Sequence, residues 1–89
     1  MNRIEEIRIG ILTQCYAQRP DSRTADQIAQ WMRREGEIRD MTAREIAIEA
    51  DYLRGRGWLE EDSRELSQAV KRWKISADGI NYLEREGWV

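Results

Sequence analysis

The sequence predicts a small α+β domain, mostly α, in which a three-helix bundle is followed by a two-stranded β-hairpin and a C-terminal helix. Three observations predict it. Apolar residues recur at helical spacing in three successive segments. A Thr-x-x-Glu capping box opens the third of them. A stretch near residue 72 changes to partial alternation after a polar run, which is the pattern of a half-buried strand. A chain of 89 residues supports one compact core, so 1–89 is read as a single domain.

The first helix covers 3–16, where Ile4, Ile7, Ile11, Leu12 and Cys15 make one stripe. Gln18 to Asp21 end it, because Pro20 has no amide to donate and disfavours helix in the residue before it. The second helix covers about 24–35, capped by Ser22 or Thr24, with Ala25, Ile28, Trp31 and Met32 inward and Gly36 as its stop. The third covers about 42–55. Thr42-Ala43-Arg44-Glu45 is its capping box, Ala43, Ile46, Ala50 and Leu53 its apolar stripe, and Gly55 and Gly57 its end.

Trp58-Leu59-Glu60 then opens the hairpin, and Val70 to Ile75 returns it with Val70, Arg72 and Lys74 alternating against Lys71, Trp73 and Ile75. Ser76 caps the last helix, which carries Ala77, Ile80 and Leu83 and has Gly87 near its end. Trp88 and Val89 form a tail. No internal repeat or linker divides the chain.

Composition removes several function classes. With no His and a single Cys, the chain holds no Ser-His-Asp triad, no Cys-His pair, no intrachain disulfide and none of the common zinc sites. No metal, no cofactor and no enzymatic activity is expected, since no motif sets a carboxylate beside a nucleophile or a phosphate loop. No apolar stretch approaches the ~20 residues that cross a bilayer. The opening MNRIEEIRIG carries acids where a signal peptide needs an apolar run, so a cytoplasmic protein without a membrane partner is expected. A net charge of −2 argues against a nonspecific, histone-like DNA binder. Local charge is uneven: the stretch 60–65 is acidic, and Lys71, Arg72 and Lys74 make the one local positive field.

The order helix, helix, helix, hairpin, helix resembles the winged helix-turn-helix superfamily. Two segments carry the likeness: Tyr52-Leu53-Arg54-Gly55-Arg56-Gly57-Trp58-Leu59-Glu60, similar to the passage from recognition helix to wing, and Trp73-Lys74-Ile75-Ser76-Ala77-Asp78-Gly79-Ile80, similar to the second wing strand and the capped helix after it. The resemblance spans about residues 3–86, and the chain is similar to the MarR-like branch and, in its small size, to short phage and prophage winged-helix proteins. The connection from Gly36 to Met41 is longer than the 3–4-residue turn of the simplest helix-turn-helix units. The resemblance implies that the third helix enters a DNA groove, that the wing tracks phosphates, and that the terminal helices form a dimer interface.

Advancing 100° per residue from a buried Ile46 places Arg44, Ile48 and Asp51 outward, with Ala47 on one flank and Glu45 and Tyr52 on the other. The candidate DNA-binding residues are therefore Thr42, Arg44, Ala47 and Ile48 on the helix, and Arg64, Lys71, Arg72 and Lys74 on the wing. Thr42 and the first-turn amides can hold a phosphate, and Arg44 is the one strong donor to a base edge. Glu45, Glu49 and Asp51 oppose a polyanion, and the alternative is a solvated face with Glu–Arg pairing. The candidate dimer interface is Ile9, Tyr82 and Trp88. Trp31 and Trp58 read as core, Trp73 as a cover over the core from the wing, and Cys15 as a buried small hydrophobe. The function expected is a phage- or prophage-related transcriptional regulator that binds double-stranded DNA, as a homodimer. The alternative is a winged-helix protein–protein adaptor that binds no DNA.

Overall fold

A computed structural model describes residues 2–36, 38–62 and 71–89. Three helices precede the wing: α1 (Arg3–Ala17), α2 (Ala25–Glu35) and α3 (Ala43–Gly55). The strands are β1 (Arg23–Thr24), β2 (Leu59–Glu61) and β3 (Arg72–Ile75), and α4 (Ala77–Arg85) closes the chain. Each helix begins on a side-chain cap that the sequence supplies. Asn2 accepts from the Glu5 amide, Thr24 from Gln27, Thr42 from Glu45 and Ser76 from Gly79. Thr24 rather than Ser22 is thus the cap of α2, and with Gln27 it makes a second full capping box.

The hairpin belongs to a larger sheet than the sequence predicts. β3 is central, with β2 on one side and β1 on the other, all antiparallel. Arg23 faces Trp73 and Thr24 faces Arg72, while Leu59, Glu60 and Glu61 face Ile75, Lys74 and Trp73. A two-residue strand is too short to show alternation, which is why β1 has no sequence signal. Val70 and Arg64, both assigned to the wing by the sequence, lie outside the described residues.

One core joins all four helices to the sheet. It takes Ile7, Ile11 and Leu12 from α1, Ile28 and Met32 from α2, Ile46, Ala50 and Leu53 from α3, and Leu83 from α4. Trp73, only 1% exposed, covers it from β3 on the same face as Ile75, as its place in the alternation predicts. Ile4 corrects the expected stripe: it is 48% exposed, because the packed face of α1 starts one turn later, at Ile7. Trp31 and Trp58 are half-buried and pack on the core from its edge.

Two helix ends are built alike. After α3, Gly57 takes φ +81°, its amide reaches Arg54 O at 2.9 Å and the Trp58 amide reaches Leu53 O at 3.1 Å. After α4, Gly87 takes φ +77°, its amide reaches Glu84 O at 3.3 Å and the Trp88 amide reaches Leu83 O at 2.9 Å. Both are Schellman caps written as Leu-x-x-x-Gly-Trp. The first aims the chain into β2. Ser76 then ties the wing to α4: its hydroxyl donates to Gly57 O at 2.6 Å and its amide donates to Trp58 O at 3.1 Å.

Candidate nucleic-acid interface

The helical phase of α3 follows the expectation: Ile46, Ala50 and Leu53 are buried, while Thr42, Arg44, Ala47 and Ile48 are exposed. Ile48 is 55% exposed at the middle of this face. Thr42 is engaged in its cap. Its hydroxyl accepts from the Glu45 amide at 3.2 Å, and the Glu45 carboxylate accepts from the Thr42 amide at 3.3 Å. What Thr42 presents outward is therefore the start of a capped helix rather than a free hydroxyl.

The three acids of α3 that oppose a polyanion are each held by an arginine. Arg3 grips Glu45 through two nitrogens at 3.0–3.2 Å and also reaches Asp40 at 3.1 Å. Hydrogen bonding from Arg3 is the main cause that holds the Glu45 carboxyl below its ordinary range. Arg8 pairs with Glu49 at 2.8 Å, with its guanidinium 3.6 Å from the centre of the Tyr52 ring. Arg54 pairs with Asp51 at 2.9 Å on the same helix. Arg44 makes no ion pair among the described residues, so it is left as the open positive charge of the α3 face. Sequence reasoning misses Arg3 and Arg8, because they stand on α1 and meet α3 only through tertiary packing.

The wing cations divide into two kinds. Lys71 lies 4.0 Å from Glu61 and Lys74 3.8 Å from Glu60, long and exposed cross-strand pairs of the sort that contribute little. Arg72 instead donates to Ser22 Oγ at 2.8 Å and to Ser22 O at 3.2 Å, fastening β3 to the approach to β1. Arg72 and Lys74 do share a strand face, alternating with buried Trp73 and Ile75. Their roles differ because Arg72 meets a buried serine.

Ile9, Tyr82 and Trp88 come together. They line one groove of about 410 Å³ where α1, α3 and α4 meet, beside Tyr52, Leu53 and Trp58. Trp58 and Tyr82 stack with centroids 4.0 Å apart and an interplanar angle of 20°. Trp88 stays 43% exposed at the groove's mouth. A smaller groove of about 280 Å³ runs between α1 and α2, lined by Ile9, Trp31, Met32 and Ile38. Cys15 is buried with its thiol 3.9 Å from Trp73 O, and burial pushes that thiol up to about 12, which leaves no reactive thiolate for a redox sensor. Among the described residues no cluster of His, Cys, Asp and Glu can hold a metal ion, and no helix is long and apolar enough to cross a membrane.

Helix, strand, helix, helix, strand, strand, helix around a three-stranded antiparallel sheet defines a winged-helix protein. Among solved structures the chain is similar to a PadR family transcription regulator from hypervirulent Clostridium difficile R20291. The TM-score is 0.67 and the identity 17%, over 90% of this chain and 83% of that one. At that identity the likeness is one of fold. No protein-family model matches the sequence, and no curated protein does either.

Proposed function

We propose that this protein is a DNA-binding transcriptional regulator that sets the N-terminal half of α3 in a major groove and the β2–β3 wing on the phosphates. The observation that carries the reading is the charge state of α3. Glu45, Glu49 and Asp51 are each paired with an arginine, and Arg44 stands open on the exposed face beside Ala47 and Ile48. A helix face on which every acid is matched can approach a polyanion, and Arg44 supplies the bidentate donor that guanine edges take. Lys71 and Lys74, weakly held by Glu61 and Glu60, can exchange those partners for phosphate oxygens. Arg64 is retained as a wing residue on its position in the sequence, and Arg72 as a support of the wing.

The working form is a homodimer joined through the groove that Ile9, Tyr82 and Trp88 line, which gives DNA binding the two-fold symmetry of a palindromic site. The setting is cytoplasmic, the regulator needs no cofactor, metal or catalytic activity, and the resemblance to MarR-like and small phage or prophage proteins suggests a phage-related regulator.

A second reading has its own observation. Ile48, large, apolar and 55% exposed at the centre of the α3 face, is a natural anchor for a protein partner, and on that reading the domain is an adaptor. Mapping amide chemical shifts while titrating a short duplex separates the two. The DNA reading expects movement at 42–48 and 71–74. Shifts confined to α1 and α4, or none at millimolar duplex, contradict it.

A further inference from the structure

We infer that α1 acts as a charge mask for α3: Arg3 and Arg8 neutralise Glu45 and Glu49, and without them the helix would repel the phosphates it is meant to approach. The inference rests on the DNA reading and adds two positioning residues to it. Neither arginine sits on the exposed face of α3, and each is tied by geometry to an acid that does flank it. Arg3 makes three hydrogen bonds to the Glu45 carboxylate, two from Nη2 and one from Nε, all between 3.0 and 3.2 Å. Its Nη1 is turned to Asp40, so the guanidinium cancels charge on the connection that leads into α3 as well. Arg8 is fixed harder, between the Glu49 carboxylate and the Tyr52 ring, with the Glu49 side chain only 14% exposed.

Charge arithmetic shows what the mask changes. The exposed and flanking ionic groups of α3 are Arg44, Glu45, Glu49, Asp51 and Arg54, which sum to −1. Adding Arg3 and Arg8, together with the Asp40 that Arg3 also holds, brings the assembled surface to 0. A reading helix that is net negative by itself becomes neutral only when α1 is docked on it. The same pairs also fix the seating of α3 on α1, so affinity for DNA is coupled to the packing of the first helix.

The test is a mutant cycle on the more exposed pair, read as affinity for a random-sequence duplex at fixed salt. Gln replaces each partner, because Glu45→Gln keeps the reciprocal cap with Thr42. Arg3→Gln should weaken binding roughly three- to tenfold, the effect of one uncovered unit charge in water about 8 Å from two or three phosphates. Glu45→Gln should strengthen it by a similar factor, and the double variant should return to within about twofold of the parent. Thermal melts run alongside confirm that each variant is folded. If the double variant stays as weak as Arg3→Gln, Arg3 touches DNA itself and the mask is overturned; an unchanged Arg3→Gln overturns it as well. A parent chain with no salt-dependent affinity removes the DNA reading, and the mask with it.

Discussion

Gly79, in the first turn of α4, lies directly against the carbonyl of Trp58, the residue that leads from α3 into the wing. A Cβ at position 79 would sit 3.1 Å from the Trp58 carbonyl carbon, closer still to its oxygen, and 2.8 Å from Ile75 Cγ1. The obstacle is backbone, which cannot swing aside as a side-chain tip does. Gly79→Ala is therefore expected to lower stability by about 2–3 kcal/mol, the upper part of the range for overpacking. In a domain of this size that is a fall in Tm of roughly 10–20 °C. Gly10→Ala is the control, since its Cβ would meet only the flexible end of Met32. Equal melting temperatures for the two variants would mean that the wing and α4 are not in this contact.

The Arg3–Glu45 pair has a pH signature. Glu45 is held below its ordinary range in the folded protein chiefly by Arg3. Its contribution to stability is present above the unfolded carboxylate range and is lost as pH falls through the lowered folded value. Arg3→Gln should accordingly move the Glu45 titration upward, as followed by its side-chain carboxyl resonance, and should alter stability near neutrality while leaving strongly acidic conditions unaffected. A Glu45 titration identical in the two proteins contradicts the pairing.

Sedimentation equilibrium examines the dimer. Ile9, Tyr82 and Trp88 share one groove, so Ile9→Glu combined with Trp88→Ala should give monomers with an unchanged fold. A parent chain that remains monomeric at high micromolar concentration rejects the homodimer at once.

Ile48 and Arg44 distinguish groove reading from protein docking. In a DNA groove, Arg44→Ala should cost about 1–3 kcal/mol of binding with relaxed specificity, and Ile48→Ala roughly 1 kcal/mol, as for an apolar contact with a thymine methyl. On a protein partner the order reverses, with Ile48 worth ~2 kcal/mol or more and Arg44 acting as a rim charge. Competition binding with each variant decides the order.

The helices were legible because their signals are local. The Thr42–Glu45 capping box and the Ile46, Ala50, Leu53 stripe fix both the start of α3 and its rotation, and Ile48 is exposed as that phase requires. The Trp73 and Ile75 alternation likewise placed the inner face of β3. Tertiary relationships were not legible. β1 is two residues long and exists because Arg72 reaches Ser22 and β3 offers an open edge, neither of which has a local pattern. Arg3 and Arg8 are 42 and 41 residues from their partners. From sequence, Glu–Arg pairing on this face is an alternative without named partners for Glu45 and Glu49; only the docking of α1 supplies Arg3 and Arg8.

If α3 and the wing form an electrostatic surface for duplex DNA, binding to a random-sequence duplex must depend on salt. Weak affinity that falls linearly in a plot of log K against log salt is expected. Lys71→Gln with Lys74→Gln should flatten that slope by roughly 1.8, the value for two lost phosphate contacts. Arg72→Gln, which breaks the bonds to Ser22, should instead lower stability by about 1–2 kcal/mol with little change in slope. Affinity that is absent at low salt, or a slope untouched by the loss of both lysines, would contradict such a surface.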